Sequence, residues 1–561
     1  MILLKKQFNC NYKLFSKKLT KFQRLSPLIA SVSGSSYSTT DSNGKDYQLY
    51  LYNHYTRSKE LVKLTGDLIP ITLSCKQLTN EPLIGTVYIC GPTVYDYCHI
   101  GHAMSYTRFD IFRRFLQTYG NVNLVTAMNI TDIDDKIMKK AAEEKVSYRS
   151  IGDKYFSAFL DDLQSLNILP VDSFVRVTDH IDEIIDYIGS LEVKGYAYIN
   201  SETNDVNFDT SKVNEFNDKI ENITDKSKGK KSSKDFALWR SASNEPLWVY
   251  TSPVNGQQLK GRPGWHIECS VIASWLFGSS LDFHFGGKDL IFPHHFCESV
   301  CSSCYFDQIN KQSATNWASH WFHSSHVKIA KEKMSKSIGN VITIKDFIKT
   351  NSPDLLRIMC LMQHYRSDID YDGLIIKRYG ELDRRFKQFN LSMKEKTLSL
   401  GLNKFRNEQL INCQPDDQKL SNLLKQSTDE ILSGAANDWD LEKGLNSILE
   451  VINYSDSLVN PSLIDLNCLK SHVNKWMNSI GLSYPDGSQS TNTKQDLLLI
   501  TLINHRNQVR TLSLESLIKT DLTVNQAKEQ FKSILKSCDN LRAKLDSLGY
   551  VIKDSKFKAD N

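Results

Sequence analysis

No stretch of this 561-residue chain approaches the roughly 18 to 20 consecutive apolar residues that span a bilayer. The expectation is a soluble protein with no stable membrane association. Net charge is also scarce, at +5 overall, and acidic residues are missing altogether before Asp41. Residues 1–40 hold seven Lys or Arg, so the remainder is near −2, and any contact with nucleic acid must rest on local basic patches rather than on a global field. The twelve cysteines lack an even framework and mostly sit inside apolar helical patterns, which excludes a disulfide scaffold and points to a reducing compartment. What is present, 40% apolar and 24% charged residues, is the composition of a globular chain, too long for one core and suited to roughly three or four domains.

Phe8, Tyr12, Phe15, Leu19 and Phe22 form one apolar stripe of a helix flanked by lysines, and a Ser-rich stretch runs from Ser26 to Ser38. A basic amphipathic helix without an acid, followed by serines, predicts a mitochondrial transit peptide over 1–40 and residence in the mitochondrial matrix.

From Thr86 the chain reads TVYICGPTVYDYCHIGHAMSYTRFDIFRRFL, a strand-like run, a Gly-Pro turn and a helical pattern. His99 and His102 would lie at the start of that helix, where unpaired amides and the positive dipole end favour an anion, and Gly101 would let a nucleotide approach closely. Between Gly264 and Glu298 stand Cys269, His294 and Glu298, all zinc-ligand types, the last two four residues apart and so on one helical face. A fourth ligand is needed. Lys333 and Lys336 lie on a Gly- and Ser-containing loop and can reach a triphosphate as point charges.

The tetrapeptide His99-Ile-Gly-His102 and the pentapeptide Lys333-Met-Ser-Lys-Ser337 together resemble class I aminoacyl-tRNA synthetases. With CGPTVYDYCHIGH, NITDIDDKI from Asn129, GRPGWHIECS from Gly261, GGKDLIFPHH from Gly286 and MSKSIGN from Met334, the chain is similar, more narrowly, to cysteinyl-tRNA synthetases from about Leu51 to Tyr371. The resemblance implies an α/β fold, a Rossmann-like parallel sheet with a connective insertion followed by an all-α helical bundle. It implies that Cys90, Cys269, His294 and Glu298 hold one Zn²⁺ that selects the cysteine thiolate, that His99, Gly101, His102 and Lys336 bind ATP, and that His99, His102, Lys333 and Lys336 serve catalysis. Thr93, Thr131, Trp265 and Asp289 become substrate contacts, Mg²⁺ arrives with ATP, and the partners are ATP, L-cysteine and tRNA(Cys), bound by a monomer. The family pattern HHENE is here His294-His295-Phe296-Cys297-Glu298: the ligand positions are kept, and the two polar residues between them are replaced. His295 is expected to be structural, and Cys297, Cys301 and Cys304 to pack rather than to form a second metal site.

The chain divides accordingly into 1–40, a first catalytic half 45–138, an insertion 139–234, a second half 235–345 beginning with DFALWR, a stem-contact connector 346–375 and a helical anticodon-binding region 376–561. In that last part Leu441, Leu445, Ile448, Leu449 and Ile452 share one helical face, and Phe531 to Leu548 supply another. The basic stretch ending at Lys234 reads as a solvated loop. Two rivals are a small-amine ligase of the same fold and a silent RNA-binding paralogue. The long region after Tyr371 opposes the first, and the intact His99, His102, Lys336 and four ligand positions oppose the second.

Overall fold

In the computed structural model the apolar run before Cys90 is the strand Leu83–Ile89, the middle of a five-stranded sheet. The structure describes residues 45–65, 68–76, 81–213, 228–308, 317–329, 332–333, 341–402, 417–458 and 461–484, with a few positions beyond, chiefly 536–543. The expected transit segment, Lys336, most of the 531–548 stripe and the side chain of Lys333 lie outside the described residues.

The sheet runs Ala318–Ser324, Leu281–Gly287, Leu83–Ile89, Val122–Ile130, Ser173–Arg176, all parallel. Numbered along the chain this is the order 3-2-1-4-5 of a doubly wound nucleotide-binding fold, and its switch point lies between Leu83–Ile89 and Leu281–Gly287. Parallel strands covered on both faces must be apolar throughout, which is why they read as near-continuous runs. On one face Phe112 of the helix Ile100–Phe115 packs against Phe283, Phe285 and Phe322. The other face, with Tyr88 and Ala127, shares a core with the helix Trp265–Phe277.

Two expected boundaries fall elsewhere in space. Ser173–Arg176, inside the stretch assigned to the insertion, is the third strand of the parallel sheet, and the helix Tyr148–Ser165, with Tyr155, Phe159 and Leu163 buried, is part of its crossover. DFALWR does not open the second half of that sheet. It forms most of Phe236–Ser241, the centre of an antiparallel sheet ordered 197–199, 206–208, 236–241, 258–263, 248–251. A strand's local pattern does not report which partner it pairs with, and here Asn207 pairs with Ala237 across the assigned boundary. The divisions at 138, 345 and 375 fall inside the helices Asp135–Glu144, Ile344–Thr350 and Gly373–Leu402. The described end of the basic loop is not simply solvated: Lys231 reaches Asp209 at 3.1 Å and covers the Tyr198 ring.

Beyond the sheet, helices Gly373–Leu402, Asp417–Ala436, Leu441–Ser457 and Leu463–Ser479 form a bundle, with the expected stripe of Leu441, Leu445, Ile448, Leu449 and Ile452 buried. Trp439, between two of these helices, inserts against Phe112 and Phe115 with ring centroids 4.8 and 5.1 Å away. Buried Arg357 ties the layers together, meeting Asp110 at 2.5 Å and donating to the carbonyls of Ile480 at 3.0 Å and Asn167 at 2.7 Å. Among the described residues no helix is long and apolar enough to cross a membrane.

Candidate active site and metal centre

Cys90 stands directly after the central strand, at the carboxyl edge beside the switch point. Gly91 follows because nothing larger fits: a Cβ there would lie 1.7 Å from the Asn129 carbonyl oxygen, and the Gly91 amide donates to Asn129 Oδ1 at 2.8 Å. The chain then turns through Pro92 and Thr93, pairs with Thr131, and enters the helix Ile100–Phe115. The resulting cavity, about 380 Å³, is walled by Cys90, Thr93, His99, His102, Trp265 and Asp289 among others.

Gly264, one residue ahead of the helix Trp265–Phe277, brings Cys269 beneath the same edge. The turn Ile291–His295 and helix Phe296–Tyr305 bring up His294 and Glu298. Cys90 Sγ lies 3.8 Å from Cys269 Sγ and 3.7 Å from Glu298 Oε1, and His294 Nε2 lies 2.9 Å from Glu298 Oε1. All four are buried, and one ligand atom from each falls within 4.8 Å of the others. Two Zn–S bonds of about 2.3 Å at a tetrahedral angle hold their sulfurs roughly 3.8 Å apart, so the thiol pair is spaced for that metal.

The electrostatics are those of a cation site. Burial pushes the Cys90 thiol well up, reinforced by neighbouring Cys269 and Glu298. For Cys269, burial is outweighed by the Cys90 hydrogen bond and by His294, and its pKa falls to about 6. Glu298 is likewise held down at about 2 against its burial by His294 and His284, while Glu298 and Cys269 lift His294 to about 10 against its own. The charge on His294 is thus favoured by two anionic neighbours, Glu298 and Cys269, and a divalent cation would take over that compensation.

A second cluster, Cys90, His284, His295 and Glu298, shares two of these residues. His284 Nε2 lies 2.9 Å from Glu298 Oε2, and its ring stacks on Trp321. His295 Nε2 lies 3.3 Å from Cys90 Sγ while its Nδ1 lies 2.8 Å from His323 Nε2. This group backs onto the core, whereas the two-sulfur group borders the cavity through Cys90 and through Trp265, which stacks on His294 at 4.2 Å. His284 and His295 therefore read as the groups that orient the donors from behind. His284 escaped the sequence reading; its signal is a histidine between Phe283 and Phe285, facing away from both on a buried strand. Glu268 escaped it too, a buried carboxyl pushed well up by burial and by Cys269, 3.3 Å from Thr131 Oγ1.

His99 caps the helix Ile100–Phe115. Its Nδ1 accepts from the Gly101 amide at 3.1 Å, and its own amide donates to His102 Nδ1 at 3.3 Å. Both neutral rings then carry their proton on Nε2, giving two donors on the cavity wall. The backbone that follows the lysine loop is pinned there: Ile100 N donates to Ile342 O at 3.0 Å and Ile344 N to Cys98 O at 3.1 Å, bracketing the pair His99 and Thr343. Lys333 enters only through its backbone, paired with Lys328. Thr93, Trp265 and Asp289 line the cavity. Thr131 does not: it is 2% exposed, with its hydroxyl between Asn129 and Glu268. Asp132 accepts from the Thr178 amide and hydroxyl, and Asp134 caps the next helix, so these acids are structural.

A doubly wound sheet with two imidazoles at its switch point, the start of their helix paired with the backbone at Ile342 and Ile344, is the setting of a class I tRNA synthetase, and the family model described as tRNA synthetases class I (C) catalytic domain matches residues 76–379. A probable mitochondrial cysteine–tRNA ligase of Xenopus tropicalis is 31% identical over 91% of this chain and 89% of its own length. Cysteine–tRNA ligases of Methanococcus maripaludis, 38% identical over 72% of this chain and 79% of their own, and of Pyrococcus furiosus, 43% identical over 51% and 58%, are similar as well. The chain belongs to the cysteine–tRNA ligase family: an ATP-dependent ligase that attaches cysteine to tRNA.

Proposed function

We propose that amino-acid selection rests on one Zn²⁺ held by Cys90, Cys269, His294 and Glu298. The observation that carries this is the pair of buried thiols 3.8 Å apart at the switch point, of which Cys90 lines the cavity. Zinc, when bound, supplies a soft Lewis acid that favours a sulfur ligand over a hydroxyl, a distinction a purely apolar pocket makes poorly.

Around it the chain's own groups bind and orient. His284 fixes the Glu298 carboxylate, Trp265 braces His294, and Thr93 and Asp289 face the substrate, with Thr131 steadying the Thr93 turn. The cysteine carboxylate attacks the α-phosphorus of ATP and pyrophosphate leaves, a step that needs alignment and charge stabilisation rather than a general base. The Nε2–H donors of His99 and His102 stabilise the α-phosphate, with Gly101 allowing its close approach, while Lys333 and Lys336 neutralise the leaving pyrophosphate with the Mg²⁺ that ATP carries. A hydroxyl of the terminal adenosine of tRNA(Cys) then attacks the carbonyl carbon of the cysteinyl-adenylate, the ester forms as the mixed anhydride breaks, and AMP leaves. All four ligand positions come from one chain, which supports action as a monomer.

The test is cysteine-dependent exchange of pyrophosphate into ATP, with serine as control, on protein assayed for metal. Exchange with cysteine alone and about one zinc per chain is expected. Equal exchange with serine, or undiminished cysteine selection by zinc-free protein, refutes the metal's role. We further propose residence in the mitochondrial matrix, supported by the acid-free, basic amphipathic sequence pattern within 1–40 and by the mitochondrial relative. Residues 1–40 fused to a fluorescent protein should carry it into mitochondria, and a purely cytosolic signal would sink the proposal.

A further inference from the structure

Lys136 lines the cavity together with Thr93, Tyr95 and Trp265, yet it stands on the far side from the nucleotide crevice. The switch point lies between Leu83–Ile89 and Leu281–Gly287, and open α/β folds bind their nucleotide there. Lys136 instead follows Val122–Ile130, the strand on the other flank of Leu83–Ile89, as the second residue of the helix Asp135–Glu144. Its ammonium lies 5.4 Å from the centre of the Tyr95 ring, a cation–π distance that keeps the charge at the cavity wall. The side chain is exposed and forms no ion pair or hydrogen bond among the described residues.

Helix stability does not explain this lysine, because a cation in the first turn is opposed by the positive end of the dipole. The carboxylates beside it are engaged elsewhere. Asp134 accepts from the Lys136 amide and Asp96 from the Tyr97 amide, each at 2.8 Å, while Asp135 lies 3.5 Å from Arg262 and 3.8 Å from Arg240. Those two arginines stand directly opposite each other on neighbouring strands of the antiparallel sheet, an arrangement of like charges that costs stability. Positive charge therefore continues from the cavity wall onto that sheet.

We infer that this track receives the unpaired 3′ end of the tRNA, with Lys136 holding a phosphodiester of its terminal nucleotides and so positioning the terminal adenosine over the cysteinyl-adenylate, a role that rests on the transfer step proposed above. ATP and cysteine occupy the switch-point side, and the tRNA is the polyanion still to be placed. Each phosphodiester carries one negative charge, a match for point charges spaced along a surface, and a flexible ammonium meets it without a fixed geometry. Lys136 is a positioning residue: it moves no proton and touches no reacting atom.

The test separates the two chemical steps on the full chain. Pyrophosphate exchange is measured without tRNA, and transfer is followed in a single turnover from preformed cysteinyl-adenylate to subsaturating tRNA(Cys). Lys136→Ala should slow transfer about 10-fold or more while its exchange rate falls far less. Lys136→Arg, which keeps the charge, should lose less than Lys136→Ala. Added salt should slow wild-type transfer more steeply than transfer by Lys136→Ala, because one phosphate contact fewer releases fewer counterions. Equal losses in the two steps would place Lys136 with the nucleotide, or mark it as structural, and overturn the inference. Transfer at the wild-type rate, an unchanged salt slope, or equal losses in Lys136→Ala and Lys136→Arg would overturn it as well. Wild type that exchanges pyrophosphate but charges no tRNA(Cys) removes the transfer step itself, and the role of Lys136 with it.

Discussion

Serine in place of Cys269 should lower bound zinc well below one per chain and reduce kcat/KM for cysteine in pyrophosphate exchange about 1,000-fold, equivalent to roughly 4 kcal/mol of transition-state stabilisation. The reasoning is local. Cys269 is 1% exposed on a helix whose start is fixed by close backbone packing, so serine occupies the same place with nearly the same volume and the fold survives. What changes is the donor: a thiol whose pKa is drawn down to about 6 by the Cys90 hydrogen bond and by His294, against its burial, gives way to a hydroxyl that does not ionise near neutrality. The preference for cysteine over serine should shrink along with the metal. Cys301→Ser is the control, since Cys301 is fully buried on the same helix as Glu298 but is not part of either ligand cluster. It should change stability and leave selection intact. Full zinc occupancy with unaltered discrimination in Cys269→Ser would remove Cys269 from the ligand set.

Alanine at Gly91 should be as damaging by a different route. Its methyl group would sit 1.7 Å from the Asn129 carbonyl oxygen and 2.9 Å from Met128 Cγ, and the nearer obstacle is main chain of a central strand, which cannot swing aside as a side chain can. Either the neighbouring strand ends part, or the Pro92–Thr93 turn moves. In both cases Cys90 shifts against Cys269, and a displacement near 1 Å at a reacting site lowers rates by about 100-fold or more. The variant should lose exchange activity and zinc together and unfold at a lower temperature. Normal activity in Gly91→Ala would mean that this close approach does not position the site.

Most of what orders the catalytic half was readable along the chain. The strand, the Gly-Pro turn and the helix around Cys90 are local patterns, and so are the buried stripes of Tyr155 to Leu163 and Leu441 to Ile452. The spacing of His294 and Glu298 forecast a shared helical face, and their side chains do meet. What was not readable depends on partners distant in sequence. Ser173–Arg176 is too short to announce its sheet, and DFALWR reads as a strand without revealing that it pairs with 206–208. His284 and His295 gain meaning only when Cys90, some 200 residues upstream, arrives beside them. Thr131 shows the converse: matching a family motif does not fix which way a side chain is engaged, and its hydroxyl is taken up by Asn129 and Glu268.

The backbone pairing of His99 with Thr343 has a kinetic corollary. Lys336 is seven residues from that anchor, so the tether between them spans at most about 25 Å when fully extended. In the role proposed for Lys336, its ammonium group would meet the nucleotide as an intramolecular reagent, at an effective concentration set by that length of chain rather than by diffusion. The anchor pairs with the residue that caps the helix carrying His102, so in that proposed role the imidazoles and the lysine would be tied to one point of the backbone.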